Sequence, residues 1–324
     1  MINNISIFCT IGPSSLNKKF LLFTNNKADL LRINMSHVNI NNLESMINYI
    51  RKYSKVPICI DTEGAQIRTK VKSKIKFKKN QLIKIYKSSG NFNLYPNSVY
   101  KKIKVSDILE IGFEGLEAKV KKKTENVLTM TCVKPGILDT NKGVHVKNRN
   151  VELDFLTEKD LEAIHLAKKL KVKNFALSFT NTKEDMIKFN RLLKDCKKIF
   201  KIETIKALKN FGDLKKYGNN FLIDRGDLSK SVSIEKIPLA QRFLFKKKGK
   251  KTNISVATNF LESMIINPYP TRAEVNDIFN SLEMGANSLV LAAETAVGKY
   301  PIECIVFLKK MIEVFVYKNK ISFK

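Results

Sequence analysis

The chain has 324 residues, 44% of them hydrophobic, so it can bury a sizeable core, and extensive disorder is excluded. It carries 59 Lys and Arg against 30 Asp and Glu, a formal net charge of +29. The lysines are spread along the chain without a nucleic-acid-binding signature or any Trp, so we interpret the charge as a composition bias and expect no nucleic-acid partner. No apolar run of about eighteen residues and no signal-peptide pattern occur, which predicts a soluble, cytoplasmic protein without membrane contact.

Strand and helix patterns alternate at the start of the chain. Apolar, β-prone runs predict strands at 5–11, 28–33 and 56–60, with a helix at 40–52 between the last two. From 70 to 142 the pattern changes to short β-like pieces separated by turn residues, without a helix of normal length. This change predicts a small β domain inserted after the third strand.

The alternation resumes after the insert. Thr157 is predicted to cap a helix whose apolar stripe contains Leu161, Ile164, Leu166 and Leu170. The elements predicted beyond that helix are strands at 174–179, 199–203, 221–224, 254–257 and 288–291 and helices at 183–194, 207–210, 234–247, 271–284 and 301–316. Eight strand–helix units result, and eight such units most simply close into a parallel barrel.

The predicted fold class is therefore an α/β protein with a (β/α)8 TIM barrel and a small inserted domain that resembles a β-barrel. Residues 1–69 and 143–324 are assigned to the barrel and residues 70–142 to the insert. Because the insert leaves from the end of the third strand, we expect it to overhang the active-site mouth as a lid.

Polar side chains gather where the predicted strands end, which is where TIM barrels carry their active sites. In the strand at 199–203, alternation places Lys201 and Glu203 on one face and Phe200 and Ile202 on the other. Asp227 follows the next strand, after Gly226, which we expect to permit a sharp turn before a helix. One ammonium and two carboxylates at neighbouring strand ends predict a site for a hard divalent cation and a transferring anion.

Eight short phrases resemble the pyruvate kinase family, in the family's order and near its spacing over about residues 5–305. They are Cys9-Thr-Ile-Gly-Pro-Ser14, Arg32-Ile-Asn-Met-Ser-His37, Asp61-Thr62 with Gly64 and Ile67-Arg-Thr69, Lys201-Ile-Glu203, Arg225-Gly-Asp-Leu228, Ala257-Thr258 with Leu261-Glu-Ser-Met264, Pro270-Thr-Arg-Ala-Glu274, and Glu294-Thr-Ala296. The resemblance implies transfer of phosphate from phosphoenolpyruvate to ADP, which gives pyruvate and ATP.

The resemblance also assigns catalytic roles. Glu203 and Asp227 resemble the ligands of Mg²⁺ or Mn²⁺, and Lys201 resembles the lysine that neutralises the phosphoryl group in transit. Arg32 would bind the phosphate, and Thr258 would lie near the enol carbon that receives a proton. The backbone at Gly226 and Asp227 would bind the substrate carboxylate, and Glu294 is assigned to the same substrate site.

Two further sets follow from the same resemblance. Asn34, Ser36, Asp61 and Thr62 resemble the oxygen ligands of a potassium site. The residues that resemble nucleotide contacts are Asn34, His37, Arg68 and, on the return strand of the insert, Lys142.

Several positions depart from the family pattern. Glu63 and Gln66 replace a lysine and a glutamate near the predicted potassium site, which leaves potassium dependence open. Asn181 replaces an arginine, Ala292 replaces a hydroxyl-bearing serine, and Asp224 replaces a small residue. After residue 301 the sequence contains one helix and a basic tail where the family continues into a regulatory domain. We therefore expect no sugar-phosphate activation and a monomer or a homodimer formed through the barrel.

Two alternatives stay open at this point. The departures favour a catalytically impaired paralogue that binds a ligand or a partner, and the barrel alone is compatible with a magnesium-dependent aldolase or decarboxylase acting on pyruvate or phosphoenolpyruvate. Nucleotide binding distinguishes the kinase from an aldolase or decarboxylase. Catalytic turnover distinguishes it from an impaired paralogue.

Overall fold

The computed structural model describes residues 5–112, 115–149 and 151–318. The chain falls into two compact units, the first formed by Met1–Gly64 with Glu158–Lys324 and the second by Ala65–Thr157. The second unit follows the third strand, and its residue range, Ala65–Thr157, is longer than that of the predicted insert at 70–142. Whether it acts as a lid stays a prediction.

The first segment of the first unit contains three strands and two helices. In chain order these are β1 (Ser6–Thr10), α1 (Lys18–Thr24), β2 (Leu30–Asn34), α2 (Leu43–Tyr53) and β3 (Ile58–Asp61). Asn17 caps α1 by accepting a hydrogen bond from the Phe20 N–H. The helix α2 buries one face, which contains Leu43, Met46, Ile47 and Ile50.

The second unit is a β-barrel of its own. Its elements are β4 (Ile67–Val71), β5 (Ile75–Phe77), β6 (Leu82–Tyr86), β7 (Phe92–Tyr95), α3 (Val99–Lys102), β8 (Ile108–Ile111), β9 (Leu116–Lys123), β10 (Val127–Lys134), β11 (Gly136–Leu138) and β12 (Gly143–Val146). Seven strands close in the order β10-β6-β7-β4-β12-β8-β9, and β5 pairs separately with β11. Alternate side chains of β9 and β10 face the core, as the period of a strand requires.

The remaining elements complete the first unit. They are α4 (Glu158–Lys169), β13 (Asn174–Leu177), α5 (Lys183–Leu192), β14 (Lys197–Ile202), α6 (Ile205–Leu214), β15 (Asn220–Asp224), α7 (Arg225–Leu228), α8 (Ile237–Lys246), β16 (Asn253–Ala257), α9 (Arg272–Glu283), β17 (Ser288–Leu291), α10 (Ala293–Ala296) and α11 (Pro301–Val316). The predicted order of strands and helices is confirmed, although α6 is longer than the expected helix at 207–210.

The predicted apolar stripe of α4 is partly wrong. Leu161 is 49% exposed, whereas Ala163 and Ile164 are buried together with the charged Asp160. Asp160 turns this face inward because its carboxylate accepts hydrogen bonds from the N–H groups of Glu63 (2.7 Å) and Gly64 (3.0 Å). A polar anchor therefore overrides the hydrophobic pattern.

Eight parallel strands of the first unit form a closed barrel in the order β1-β17-β16-β15-β14-β13-β3-β2. The predicted (β/α)8 barrel with an inserted barrel-like domain is confirmed. Each strand contributes one side chain to the apolar interior, which we call the apolar layer. Its members are Phe8, Leu30, Cys59, Ala176, Ile199, Leu222, Ala257 and Val290.

Aromatic side chains fix β14 from outside the barrel. The Phe200 ring lies 6.1 Å from the Phe189 ring of α5 and 5.9 Å from the Phe221 ring of β15, and Phe211 of α6 packs on Phe221 at 5.1 Å. Gly218 allows this packing, because a Cβ at that position would lie 2.3 Å from the Phe200 ring. The packing confirms the predicted alternation, in which Phe200 and Lys201 face opposite sides of the strand.

No helix among the described residues is both long and apolar enough to cross a bilayer. The cytoplasmic location stays a prediction.

The Asp107 carboxylate, buried in the second unit, gives a pH-dependent contribution to stability. It accepts hydrogen bonds at 2.7 Å from Nε and Nη2 of Arg149 and from the Lys104 N–H. Burial alone raises the pKa of Asp107, but these hydrogen bonds outweigh burial and lower the pKa below its ordinary value. A lowered carboxyl pKa stabilises the fold above the ordinary pKa and loses this effect as pH falls through the lowered value.

We therefore predict that Asp107→Asn lowers the free energy of unfolding by about 2 kcal/mol at neutral pH. The difference from the unsubstituted protein should shrink as pH falls below about 4. Urea unfolding at a series of pH values measures it. Asp154→Asn is the matched control, since among the described residues Asp154 forms an exposed 4.0 Å pair with Lys102 and no other ion pair. An equal loss at pH 3 and pH 7 would contradict the prediction.

Candidate active site

A polar layer lies directly above the apolar layer at the carboxyl ends of the strands. Alternation returns every second side chain to the barrel interior, so the residues two positions beyond the apolar layer face inward again. Six of them are both polar and buried, and we call these six the polar layer: Thr10, Arg32, Asp61, Ser178, Lys201 and Asp224.

Lys201 is the centre of the polar layer. Its ammonium lies 2.8 Å from Glu203 Oε1, 3.2 Å from Asp61 Oδ2 and 3.3 Å from Asp224 Oδ2, and it donates a 3.1 Å hydrogen bond to Ser178 Oγ. Burial by itself lowers the pKa of Lys201, but the three carboxylates together raise it above its ordinary value. The side chain is therefore a fixed positive charge and not a base at neutral pH.

Arg32 supplies the second cation of the layer. Its Nε donates to Asp61 Oδ2 at 2.6 Å, its Nη2 lies 2.5 Å from the same oxygen, and its Nη1 donates to Thr10 Oγ1 at 3.0 Å. Asp61 also accepts a hydrogen bond from Ser178 Oγ at 3.2 Å. The predicted phosphate-binding arginine is thus 5% exposed and held in one orientation.

Glu203, Asp224 and Asp227 bring carboxylate oxygens within 4.8 Å of one another. The Phe179 N–H donates to Glu203 Oε2 at 2.5 Å. Glu203 Oε1 is buried and, apart from the Lys201 ion pair, accepts no hydrogen bond of good geometry from the described residues. Burial raises the pKa of Glu203 above its ordinary value, Lys201 opposes this effect, and the charges of Asp227 and Asp224 add to it.

The segment after β15 differs in one respect from the prediction. Gly226 does not adopt a left-handed conformation, and a Cβ there would make only ordinary contacts, so the expected need for a sharp turn at this glycine is wrong. The chain turns two residues earlier, at Asp224, because α7 begins at Arg225. The Gly226 N–H donates to Thr258 Oγ1 at 2.9 Å, and the Asp227 N–H lies 3.4 Å from Asp224 Oδ1.

Thr258 directly follows β16 and has a strained backbone with φ of 75°. Its hydroxyl donates to the Ala257 carbonyl at 2.5 Å, and its own carbonyl accepts a hydrogen bond from Arg225. Arg225 is held in turn by the Asp277 carboxylate, at 2.6 Å and 2.8 Å. Two hydrogen bonds, one from its hydroxyl and one to its carbonyl, therefore hold Thr258 in this strained conformation at the carboxyl end of β16.

The residues of the predicted potassium site lie on adjacent strand ends. Asn34 is the register partner of Asp61 in the sheet. Asn34 Oδ1 accepts a hydrogen bond from the Ser36 N–H at 3.0 Å, and Thr62 Oγ1 accepts one from the Ser178 N–H at 3.0 Å. The side-chain oxygens of Asn34 and Thr62 therefore already accept hydrogen bonds within the chain.

An ion pair between Lys159 and Glu63 connects the loop after β2 with the loop after β3. Lys159 at the start of α4 donates to the Met35 carbonyl at 2.5 Å and to Glu63 Oε1 at 2.8 Å. Glu63, which replaces the family's lysine, thus meets a lysine from another element.

The other predicted site residues are found in three places. Glu294 is buried in the first unit, where its carboxylate accepts hydrogen bonds from the N–H groups of Leu261 (3.2 Å) and Ala292 (2.7 Å). His37 is exposed in the loop after β2. Arg68 and Lys142 belong to the second unit, where β4 and the segment before β12 carry them.

Three contributors were missed by the sequence reasoning. Ser178 links Lys201 to Asp61, while Asp160 and Lys159 anchor the loops after β2 and β3. The alternation that places Lys201 in the interior also places Ser178 there, two residues after Ala176. Nothing in the local pattern of α4 predicted that its first turn reaches the rim.

An eight-stranded parallel barrel with charged side chains at the carboxyl ends of its strands defines an α/β-barrel enzyme. A family model for the pyruvate kinase barrel domain matches residues 2–305. The chain belongs to the pyruvate kinase family, as its eight phrases indicated.

Curated relatives agree with this assignment. The pyruvate kinase of Methanocaldococcus jannaschii is 33% identical over 97% of this chain and 70% of its own length. That of Thermotoga maritima is 33% identical over 96% of this chain and 70% of its own length. Plastidial pyruvate kinase 3 of Arabidopsis thaliana is 29% identical over 92% of this chain and 56% of its own length.

The Lys159–Glu63 pair gives a stability prediction. Lys159→Ala removes the ammonium shared by Glu63 and the Met35 carbonyl, and we expect the free energy of unfolding to fall by about 2 kcal/mol because both acceptors are largely buried. Thermal or urea unfolding followed by circular dichroism measures the loss. The control Lys183→Ala removes an exposed 3.9 Å pair with Glu184 and should change stability by less than about 0.5 kcal/mol. An equal loss of unfolding free energy in the two variants would contradict the prediction, because the buried pair would then stabilise the protein no more than the exposed pair.

Proposed function

We propose that this chain transfers a phosphoryl group from phosphoenolpyruvate to ADP, producing pyruvate and ATP. Family membership supports the reaction, and the observation that carries it to this chain is the buried Lys201 ammonium beside the Glu203, Asp224 and Asp227 carboxylates. The aldolase or decarboxylase alternative has no support from the three relatives described above, each of which is named a pyruvate kinase.

Lys201 neutralises the charge of the phosphoryl group during transfer. A positive charge inside a water-poor site is more effective than one in water, and fixed contacts to three carboxylates spare it reorganisation during the reaction. Arg32, oriented by Asp61 and Thr10, adds a second positive charge for the phosphate. Both cations are oriented before substrate binds, which is the main requirement of phosphoryl transfer.

The substrate carboxylate is proposed to bind at the N–H groups of Gly226 and Asp227. Thr258 Oγ1 and Asp224 Oδ1 contact these N–H groups, so the substrate carboxylate would replace two internal contacts. Displacing Thr258 Oγ1 leaves the hydroxyl near the enol carbon, where it can guide delivery of the proton. Glu294 is proposed to support substrate binding by holding Leu261, in the segment that follows Thr258.

The carboxylates fit a magnesium or manganese ion. All donors are oxygens, which Mg²⁺ prefers, and Glu203 Oε1 retains acceptor capacity in a buried position. We propose Glu203 and Asp227 as ligands. When bound, the ion supplies charge neutralisation between the two anionic substrates.

Potassium and nucleotide contacts are the finer part of the proposal. The proposed potassium ligands are oxygens of Asn34, Ser36, Asp61 and Thr62. Three of these residues, Asn34, Asp61 and Thr62, already accept hydrogen bonds through their side chains. The proposed nucleotide contacts are Asn34, His37, Arg68 and Lys142. A monomer or a homodimer through the barrel stays a prediction.

The test is pyruvate formation from phosphoenolpyruvate and ADP with Mg²⁺, measured with K⁺ and with a large organic cation in its place. We expect turnover by the unsubstituted chain and a loss of about a thousandfold or more in Lys201→Ala. Lys197→Ala, at an exposed position on the same strand, is the matched control and should retain the rate. The potassium arm shows whether Glu63 and Gln66 alter the requirement for that ion.

Folded protein that forms no pyruvate above the Lys201→Ala background would overturn the kinase proposal. That outcome would favour the impaired paralogue, for which nucleotide and phosphoenolpyruvate binding without turnover are the expected properties.

A further inference from the structure

We propose that Asp224 is a third carboxylate ligand of the divalent-cation site and makes this chain bind the cation more tightly than Glu203 and Asp227 would alone. The inference rests on the proposed function, because it concerns the same cation. It departs from the family pattern, in which a small residue stands at this position.

The position of Asp224 follows from barrel geometry. It lies two residues beyond Leu222 of the apolar layer, so alternation directs it into the interior at the carboxyl end of β15. The neighbouring strand β14 presents Lys201 and ends next to Glu203, and α7 carries Asp227 one turn later. The side chain is 4% exposed, and its ligand atom lies within 4.8 Å of those of Glu203 and Asp227.

The charge balance also favours a cation here. Asp61, Glu203 and Asp224 are buried and contact one shared ammonium, that of Lys201, while Arg32 pairs with Asp61 alone. Two cations therefore serve three buried carboxylates. A buried carboxylate without a full countercharge is costly, and a divalent cation at the Glu203–Asp224 side of the network would remove that cost.

The internal contacts of Asp224 are too weak to account for it by themselves. The Asp227 N–H is 3.4 Å from Asp224 Oδ1, longer than an ordinary N–H···O hydrogen bond of about 2.7–3.2 Å, and the Lys201 contact of 3.3 Å is the longest of that ammonium's three ion pairs. Helix capping and pairing with Lys201 thus leave the carboxylate with acceptor capacity directed at Glu203 and Asp227.

The proposal predicts a specific change in cation affinity. Asp224→Asn keeps the size, the capping oxygen and a polar contact for Lys201 but removes the negative charge, and Asp224→Ala restores a small residue. Both variants should raise the Kd for Mn²⁺ by about 10- to 100-fold, the range found when a residue supporting a metal site is removed.

The experiment measures Mn²⁺ binding to the full chain without substrate, by the electron paramagnetic resonance signal of free Mn²⁺. Asp213→Asn is the matched control, because Asp213 is exposed and pairs only with Lys216 in the described contacts. Thermal unfolding without metal shows whether each variant is folded, and the rise in melting temperature on adding Mn²⁺ provides a second readout. Asp224→Asn should lose most of that rise, while Asp213→Asn should keep it.

An unchanged Kd in folded Asp224→Asn and Asp224→Ala, with Glu203→Gln weakened, would overturn the role of Asp224 and leave the proposed function intact. Absence of Mn²⁺ binding by the unsubstituted chain would overturn this proposal and the proposed cation ligands, whereas the pyruvate assay tests the kinase reaction separately. A weakened Kd in the Asp224 variants together with normal binding by Asp213→Asn supports the proposal.

Discussion

The ion-pair network around Lys201 is the constraint on which the site depends. One ammonium contacts three carboxylates at the end of the barrel, directly above the apolar layer. Burial strengthens each attraction and makes any missing partner expensive, so these side chains hold one another in place. The aromatic packing of Phe200 on the other face of β14 fixes the same strand from outside. Electrostatics and core packing thus determine a single position for the charge that the proposed reaction uses.

Two of the residues that depart from the family pattern, Glu63 and Asn181, form local contacts that hold them in place. The charge of Glu63 is matched by Lys159, whose ammonium also bonds the Met35 carbonyl and so connects the loops after β2 and β3. Asn181, in place of an arginine, accepts a 2.5 Å hydrogen bond from Thr204 Oγ1. Gln66 differs, because its buried amide finds no hydrogen-bond partner among the described residues, and nothing in the structure explains that substitution. Glu63 and Asn181 are therefore held in place by partners within the described part of the chain, and Gln66 is not.

The barrel, its eight strands and the inward position of Lys201 could be predicted from sequence because they depend on local periodicity. Long-range contacts could not. The carboxylate of Asp160, in the first turn of α4, binds the N–H groups of two residues nearly a hundred positions earlier, and no local pattern shows this. Leu161 was placed in the core because the helical pattern does not reveal which neighbour a face meets. Asp224 was visible as a departure, but its approach to Glu203 required the closed barrel.

The protonation state of Lys201 tests the central claim most directly. Nuclear magnetic resonance of lysine labelled with ¹³C and ¹⁵N, with the Lys201 signal assigned from the Lys201→Ala variant, follows that state as pH rises. The account predicts that the ammonium remains protonated beyond its ordinary pKa of 10.5, since three carboxylates raise the pKa despite burial. A titration midpoint at about pH 7 to 8 would contradict the account. It would make Lys201 a neutral amine suited to proton transfer, and the carboxylates would then lack the charge that the structure assigns to their centre.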